Sequence, residues 1–278
     1  MIIDRVKSFG INTEYAIIKP NWVSNRPGEF TEPEILDDLL TALPDQKKIV
    51  IESYTPWRGP RNSALERASN LTDGKAMRDE YKQRDEQFLV DTGIGAILTK
   101  HQVEYLNVTD TVWDGQCVDA TAIQQIVEAA GGTIHNQELC RFVPQRLFDL
   151  RDRATLISLG KIKVEEGIPT IIVSMSVKNL FGLIPHPSRR KPYHGNNHER
   201  IPQAIRDVYT IYTSLFGHSL WIAEGIKSWI KNYCQPDQQI IKDQNLLFVG
   251  PSGPIVDADA CRAINVDPKR VPYLRLIR

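Results

Sequence analysis

At 278 residues, 41% hydrophobic and 24% charged, the chain has the composition of a globular protein long enough to bury a substantial core. Lysine plus arginine and aspartate plus glutamate both total 34, so no global field draws it to nucleic acid or to an anionic membrane, and anion binding has to come from a local cluster. No run reaches the roughly 18 apolar residues of a bilayer span, and Met1-Ile2-Ile3-Asp4-Arg5-Val6-Lys7 lacks the layout of a signal peptide, so the expected location is cytoplasmic.

Residues 14–19 read as a first strand, closed by Pro20 because proline cannot continue a ladder. Thr31-x-x-Glu34 spells a capping box for a helix whose stripe is Ile35, Leu36, Leu39, Leu40 and Leu43. Residues 47–52 read as the second strand. Both strand ends are polar: Lys19 and Asn21 on one, Glu52 and Ser53 on the next. Open parallel sheets place ligands beyond such ends.

Residues 54–100 form a polar, helical insertion. Within it Tyr54-Thr55-Pro56-Trp57-Arg58-Gly59 reads as a functional or partner-facing loop, or equally as a long connection. Residues 86–100 read as one helix weakened by Gly93 and Gly95, and residues 103–108 as a short strand. Asp119 is placed to cap a helix over residues 120–130 that Gly131 stops.

Residues 154–163 read as a central strand ending in Lys161 and Lys163. Residues 170–177 read as another strand, which delivers Lys178 and Asn179. A helix over 201–216, a strand over 220–225 with an acidic end at Glu224, a last strand over 246–250 and a short helix over 257–264 complete the chain. This alternation predicts an α/β fold over residues 1–278: a single domain with a mostly parallel sheet flanked by helices in three layers.

Lys19-Pro20-Asn21, the run Ser176-Val177-Lys178-Asn179-Leu180-Phe181-Gly182, and Asp257-x-Asp259 occur in an order and spacing that resemble the domain of unknown function 362 family. The likeness extends over residues 16–264, and Lys178-Asn179-Leu180-Phe181-Gly182 is its most specific part. The resemblance implies no general activity. Some members carry an added ferredoxin module with iron–sulfur clusters. Here Cys117, Cys140, Cys234 and Cys261 are dispersed with no C-x-x-C pair, so no cluster motif is present and no redox role carries over. These cysteines read as small buried hydrophobes. Members often place a histidine after the paired lysines, whereas this chain continues Val164-Glu165-Glu166, so a mechanism needing that histidine does not carry over either.

Three sets of side chains stand out. Lys178, His186 and His194 are the candidate catalytic residues. Lys19, Asn21, Lys161, Lys163 and Asn179 are candidates to hold a carboxylate or phosphate, since cations gathered at one sheet edge call for an anion. His194, His198, Glu224 and Asp257 have the right donor types for a divalent metal. The plainer readings are solvated loop histidines, ion pairs with Glu52, Glu224, Asp257 and Asp259, and helix capping by Asp257. The glycines of Gly250-Pro251-Ser252-Gly253 spell no phosphate-binding fingerprint, and Ser174 and Ser176 lack a nucleophile elbow. The sequence therefore points to a small-molecule enzyme acting on an anionic substrate, with or without a metal. The alternative is a non-catalytic anion- or metal-binding protein. The expected partner is a small anionic molecule, with no nucleic acid and no membrane.

Overall fold

Strands that are apolar on both faces need cover on both, and this chain supplies it with helices. The structure, a computed structural model, describes residues 2–60, 62–68, 70–232, 240–242 and 244–277. Eight strands form one mixed sheet: β1 (Tyr15–Lys19), β2 (Lys47–Glu52), β3 (Glu104–Asn107), β4 (Ala154–Glu166), β5 (Ile172–Ser174), β6 (His218–Asn232), β7 (Ile240–Lys242) and β8 (Leu246–Gly250). The order β3-β2-β1-β4-β6 is parallel throughout; β5 joins β4 antiparallel, and β7 and β8 join β6 antiparallel.

Successive side chains of a strand alternate between faces. Ile17, Ile49, Ile51 and Leu156 accordingly pack with helices Ala120–Ala129, Ile201–Leu215 and Gly253–Ala263. Ala16, Ile18, Val50, Ile157 and Leu159 pack on the other side with helices Ile2–Lys7, Pro33–Thr41 and Ile94–Lys100. The result is the three-layer α/β arrangement. The 54–100 segment adds a small cluster of its own, Tyr54, Leu65, Tyr81 and Trp113.

Four local expectations change. The capping box is not made: the helix starts at Pro33 with Glu32 as N-cap and no side-chain cap, because the Thr31 hydroxyl is taken by the Asn21 N–H at 2.9 Å. The strand expected over 170–177 shrinks to β5, and the chain turns into a short helix, Ser176–Asn179. The helix expected over 86–100 is two helices, Arg78–Asp91 and Ile94–Lys100, separated at Gly93 with φ +75°. Asp257 and Asp259 lie inside helix Gly253–Ala263 and not at its start. Asp119 does cap, accepting the Thr121 N–H at 2.8 Å, and Gly131 follows that helix at φ +75°.

Cys140 and Cys261 are fully buried and Cys117 is half-buried, while Cys234 lies outside the described residues. Among the described residues no helix is long and apolar enough to cross a membrane.

Candidate functional site

The site begins with a gap along one edge of β4. Strand β1 pairs with β4 only as far as Lys19 opposite Ser158. Further along the same edge β5 arrives antiparallel, with Ser174 opposite Lys163. Between them both chains turn away, β1 through Pro20-Asn21 and β5 into helix Ser176–Asn179. A crevice opens where neighbouring connections diverge at the carboxyl ends of strands.

The crevice opens to solvent, has a cavity volume of about 70 Å³ and is walled by Lys19, Asn21, Glu52, Ser53, Lys163, Lys178, Asn179 and Arg189, with Trp22, Trp57 and Phe181 as its apolar part. The helix carrying Lys178 and Asn179 passes directly over Gly160 of β4. A Cβ built there would sit 2.5 Å from Ser176 Cα. Gly182 serves a similar close approach: its Cβ would lie 2.9 Å from Lys19 Nζ.

Asn179 ties the floor together. Its amide donates to the Lys19 carbonyl at 2.7 Å and to Ser158 Oγ at 3.1 Å, and its Oδ1 accepts from Asn21 Nδ2 at 3.2 Å. Asn21 in turn accepts from Lys163 Nζ at 2.8 Å. Lys178 donates to Ser174 Oγ at 3.3 Å, on the residue that faces Lys163 across the ladder.

Charge in the crevice is only partly balanced. Lys19 donates to Glu52 at 3.0 Å and to the Pro20 carbonyl at 2.7 Å. Arg58, buried beside them, is paired with Asp85 and lies 3.5 Å from Glu52. Lys163 is 3% exposed, yet among the described residues no carboxylate oxygen lies within 4.0 Å of it or of Arg189. Arg189 donates instead to uncharged oxygens: Ser53 Oγ at 2.7 Å and the carbonyls of Gly182 and Ile184 at 2.9 and 2.6 Å. Burial, then the field of Lys178, pushes Lys163 down to about 8. Burial takes Lys19 to about 8 as well, despite Glu52, and lowers Arg189 to about 10.

The remaining candidates are elsewhere. Lys161 does not line the crevice; it is fully buried between Glu32 at 2.8 Å and Glu224 at 2.6 Å, its direct cross-strand neighbour. Glu224 is thus an ion-pair partner, with its carboxyl pushed up by burial. His186 is fully buried behind the crevice, edge-on to Trp57 at 5.3 Å and 3.5 Å from the Tyr81 hydroxyl. His194 and His198 stand together, Nδ1 to Nδ1 3.3 Å, with His194 packed 5.4 Å from the ring of Phe181. The four proposed metal ligands therefore do not gather. Among the described residues no group of three or more His, Cys, Asp or Glu could hold a metal ion.

Asp257 serves the crevice from outside. Its carboxylate accepts the N–H groups of Ser176 and Val177 at 2.9 and 3.1 Å, the Ser176 hydroxyl at 2.5 Å and the Tyr273 hydroxyl at 3.1 Å. It caps the helix that carries Lys178, where an acid complements the orphan N–H groups. Burial raises it to about 6 against these hydrogen bonds. The unfolded value is about 3.9. Between those pH values the folded chain holds a proton that the unfolded chain has released. The stability Asp257 contributes therefore falls as pH rises through that window, by up to roughly 3 kcal/mol. Asp257→Asn is expected to lack this slope when urea midpoints are compared across the window. Identical slopes for the two proteins would refute it.

Arg58 lies in the loop that the sequence marks as functional or partner-facing, whereas Asp85 and Glu32 belong to the site's surroundings without any signal in the sequence. The side chains of Arg190 and Lys191 fall outside the described set. No curated protein and no solved structure matches the chain. The family model described as Domain of unknown function (DUF362) matches residues 17–262, from β1 into the helix that bears Asp257, and so covers every wall of the crevice. The chain belongs to the domain of unknown function 362 family.

Proposed function

We propose that the crevice takes a small anion, a carboxylate or a phosphate ester, and that the protein is an enzyme acting on it. The observation behind this reading is Lys163: a buried amine in an open crevice, beside Lys178 and with Arg189 on the same wall, with no carboxylate within 4.0 Å among the described residues. Glu165 and Glu29 act on Lys163 only from beyond contact and do not offset its burial, and a bound anion in contact with it removes that penalty. Lys178 and Asn179 are central, Lys19 and Asn21 complete the cradle, and His186 and His194 stand one side chain behind the lining, at Trp57 and Phe181.

Calorimetric titration with malonate and with inorganic phosphate tests the binding half. Saturable binding at neutral pH and low salt is expected. Lys163 and Lys19 carry charge below about 8 and lose it above. Malonate, whose own charge is constant above neutrality, should therefore lose affinity by up to roughly tenfold per pH unit beyond that point. No saturable binding of either ion sinks the reading. A protein that binds these anions but turns over none of a panel of small carboxylates and phosphate esters would be a non-catalytic binder.

A further inference from the structure

The crevice holds two buried amines, and they differ in what occupies them. Lys19 spends its donors on Glu52 at 3.0 Å, the Pro20 carbonyl at 2.7 Å and Asn179 Oδ1 at 3.5 Å. Among the described residues Lys163 has one acceptor, Asn21 Oδ1 at 2.8 Å. Its cross-strand neighbour Ser174 holds the Lys178 ammonium. A lysine in a desolvated pocket beside a second cation is the arrangement that leaves an amine nucleophilic near neutral pH.

We propose that Lys163 is an imine-forming lysine, attacking the carbonyl carbon of a small oxo acid whose anionic group is held by Lys178 and Arg189. This rests on the anion reading above and specifies its substrate class. The Lys163 nitrogen forms a bond to the carbonyl carbon, the C=O π pair moves to oxygen, and one proton passes from nitrogen to that oxygen to give a carbinolamine. A second proton reaches the hydroxyl, the nitrogen lone pair forms the C=N bond as the C–O bond breaks and water leaves, and the nitrogen then releases its remaining proton, so carbonyl plus amine gives imine plus water with no oxidant or reductant. Only the neutral amine can attack. At about 8 Lys163 is roughly a tenth neutral at physiological pH, far more than an ordinary lysine. The apolar wall of Trp22, Trp57 and Phe181 limits the water that would hydrolyse the product.

The test uses the intact protein with pyruvate, acetoacetate or 2-oxoglutarate as probe, followed by sodium borohydride, intact mass and peptide mapping. One reduced adduct per chain is expected, on the peptide that carries Lys163, and excess malonate should suppress it. Lys163→Arg keeps the cation but has no nucleophilic amine, and should lose the adduct. Mapping on the unaltered chain decides the site even if that variant folds poorly. A protein that binds malonate but gives no adduct with any probe overturns the proposal, as does labelling centred on Lys19, Lys178 or surface lysines. A protein that binds neither malonate nor phosphate sinks the anion reading, and this one with it.

Discussion

Lys163→Met is expected to stabilise the ligand-free protein and to abolish its affinity for malonate and phosphate. Lys163 titrates at about 8 in the fold, against about 10.4 in the unfolded chain. A lysine depressed in this way penalises the folded state in full below about 8, and the penalty is relieved as pH rises toward the unfolded value. At neutral pH, removing the charge is worth up to roughly 3 kcal/mol. Leaving Asn21 Oδ1 without its donor takes back about 1 kcal/mol. Methionine fills much of the lysine's volume and spans the same apolar stem. The melting temperature without anion should therefore rise by a few degrees, and the rise that malonate gives the native protein should vanish. A variant that melts lower than the native protein would show that Lys163 is compensated after all. Gain of stability with loss of binding is the usual sign of a residue held for function.

Gly160→Ala carries the largest expected loss of stability. The added methyl would lie 2.5 Å from Ser176 Cα and 2.6 Å from Met175 C and Ser176 N, all backbone atoms. The segment cannot retreat, because Asp257 holds the N–H groups of Ser176 and Val177 from the far side. Gly160 cannot move either, since it is paired with Ala223 in the middle of the sheet. Overpacking of this kind costs about 3 kcal/mol or more when neither side can yield. It should show as a lower urea midpoint together with weakened malonate binding, because Lys178 and Asn179 ride on the displaced helix. Gly217→Ala, with nothing within 4 Å and no positive φ, is the control and should be near neutral. A loss below about 1 kcal/mol at Gly160 would contradict the close approach.

The parallel strands and their decorated ends were legible because proline, alternation and charge punctuate them sharply. Residues 47–52 were read to the residue, and β1 within one. The rule that ligands lie beyond strand ends put Lys19, Asn21, Lys163, Lys178 and Asn179 into one group, and the structure brings these five together. The same rule misgrouped Lys161. Lys161 and Lys163 lie two apart on β4, with Ile162 between them packed into the core of the other face, but they meet different partners. Lys161 meets Glu224 while Lys163 meets Asn21. Acceptors for both come from the segment after β1, which supplies Asn21 and Glu32, and no pattern within β4 shows which lysine meets which. The four-residue helix at Ser176–Asn179 was hidden for another reason: a short apolar run fits strand and helix equally. Asp257 looked like a cap and is one, though of a helix 81 residues earlier in the chain, and no local pattern contains that distance.

The reach of Asp257 has a consequence for how this protein is made. Lys19 and Glu52 are synthesised early, Lys163 reaches Asn21 across 142 residues, and the start of the helix that carries Lys178 is held by Asp257 with Tyr273 behind it. Contacts of such sequence separation form late, since the entropy of closing the intervening chain comes first. On the ribosome, Lys19 and Glu52 at the ends of β1 and β2 emerge well before Lys163 and Asn179. The crevice is therefore completed only once the residues around Tyr273 have emerged, long after the strands that wall it.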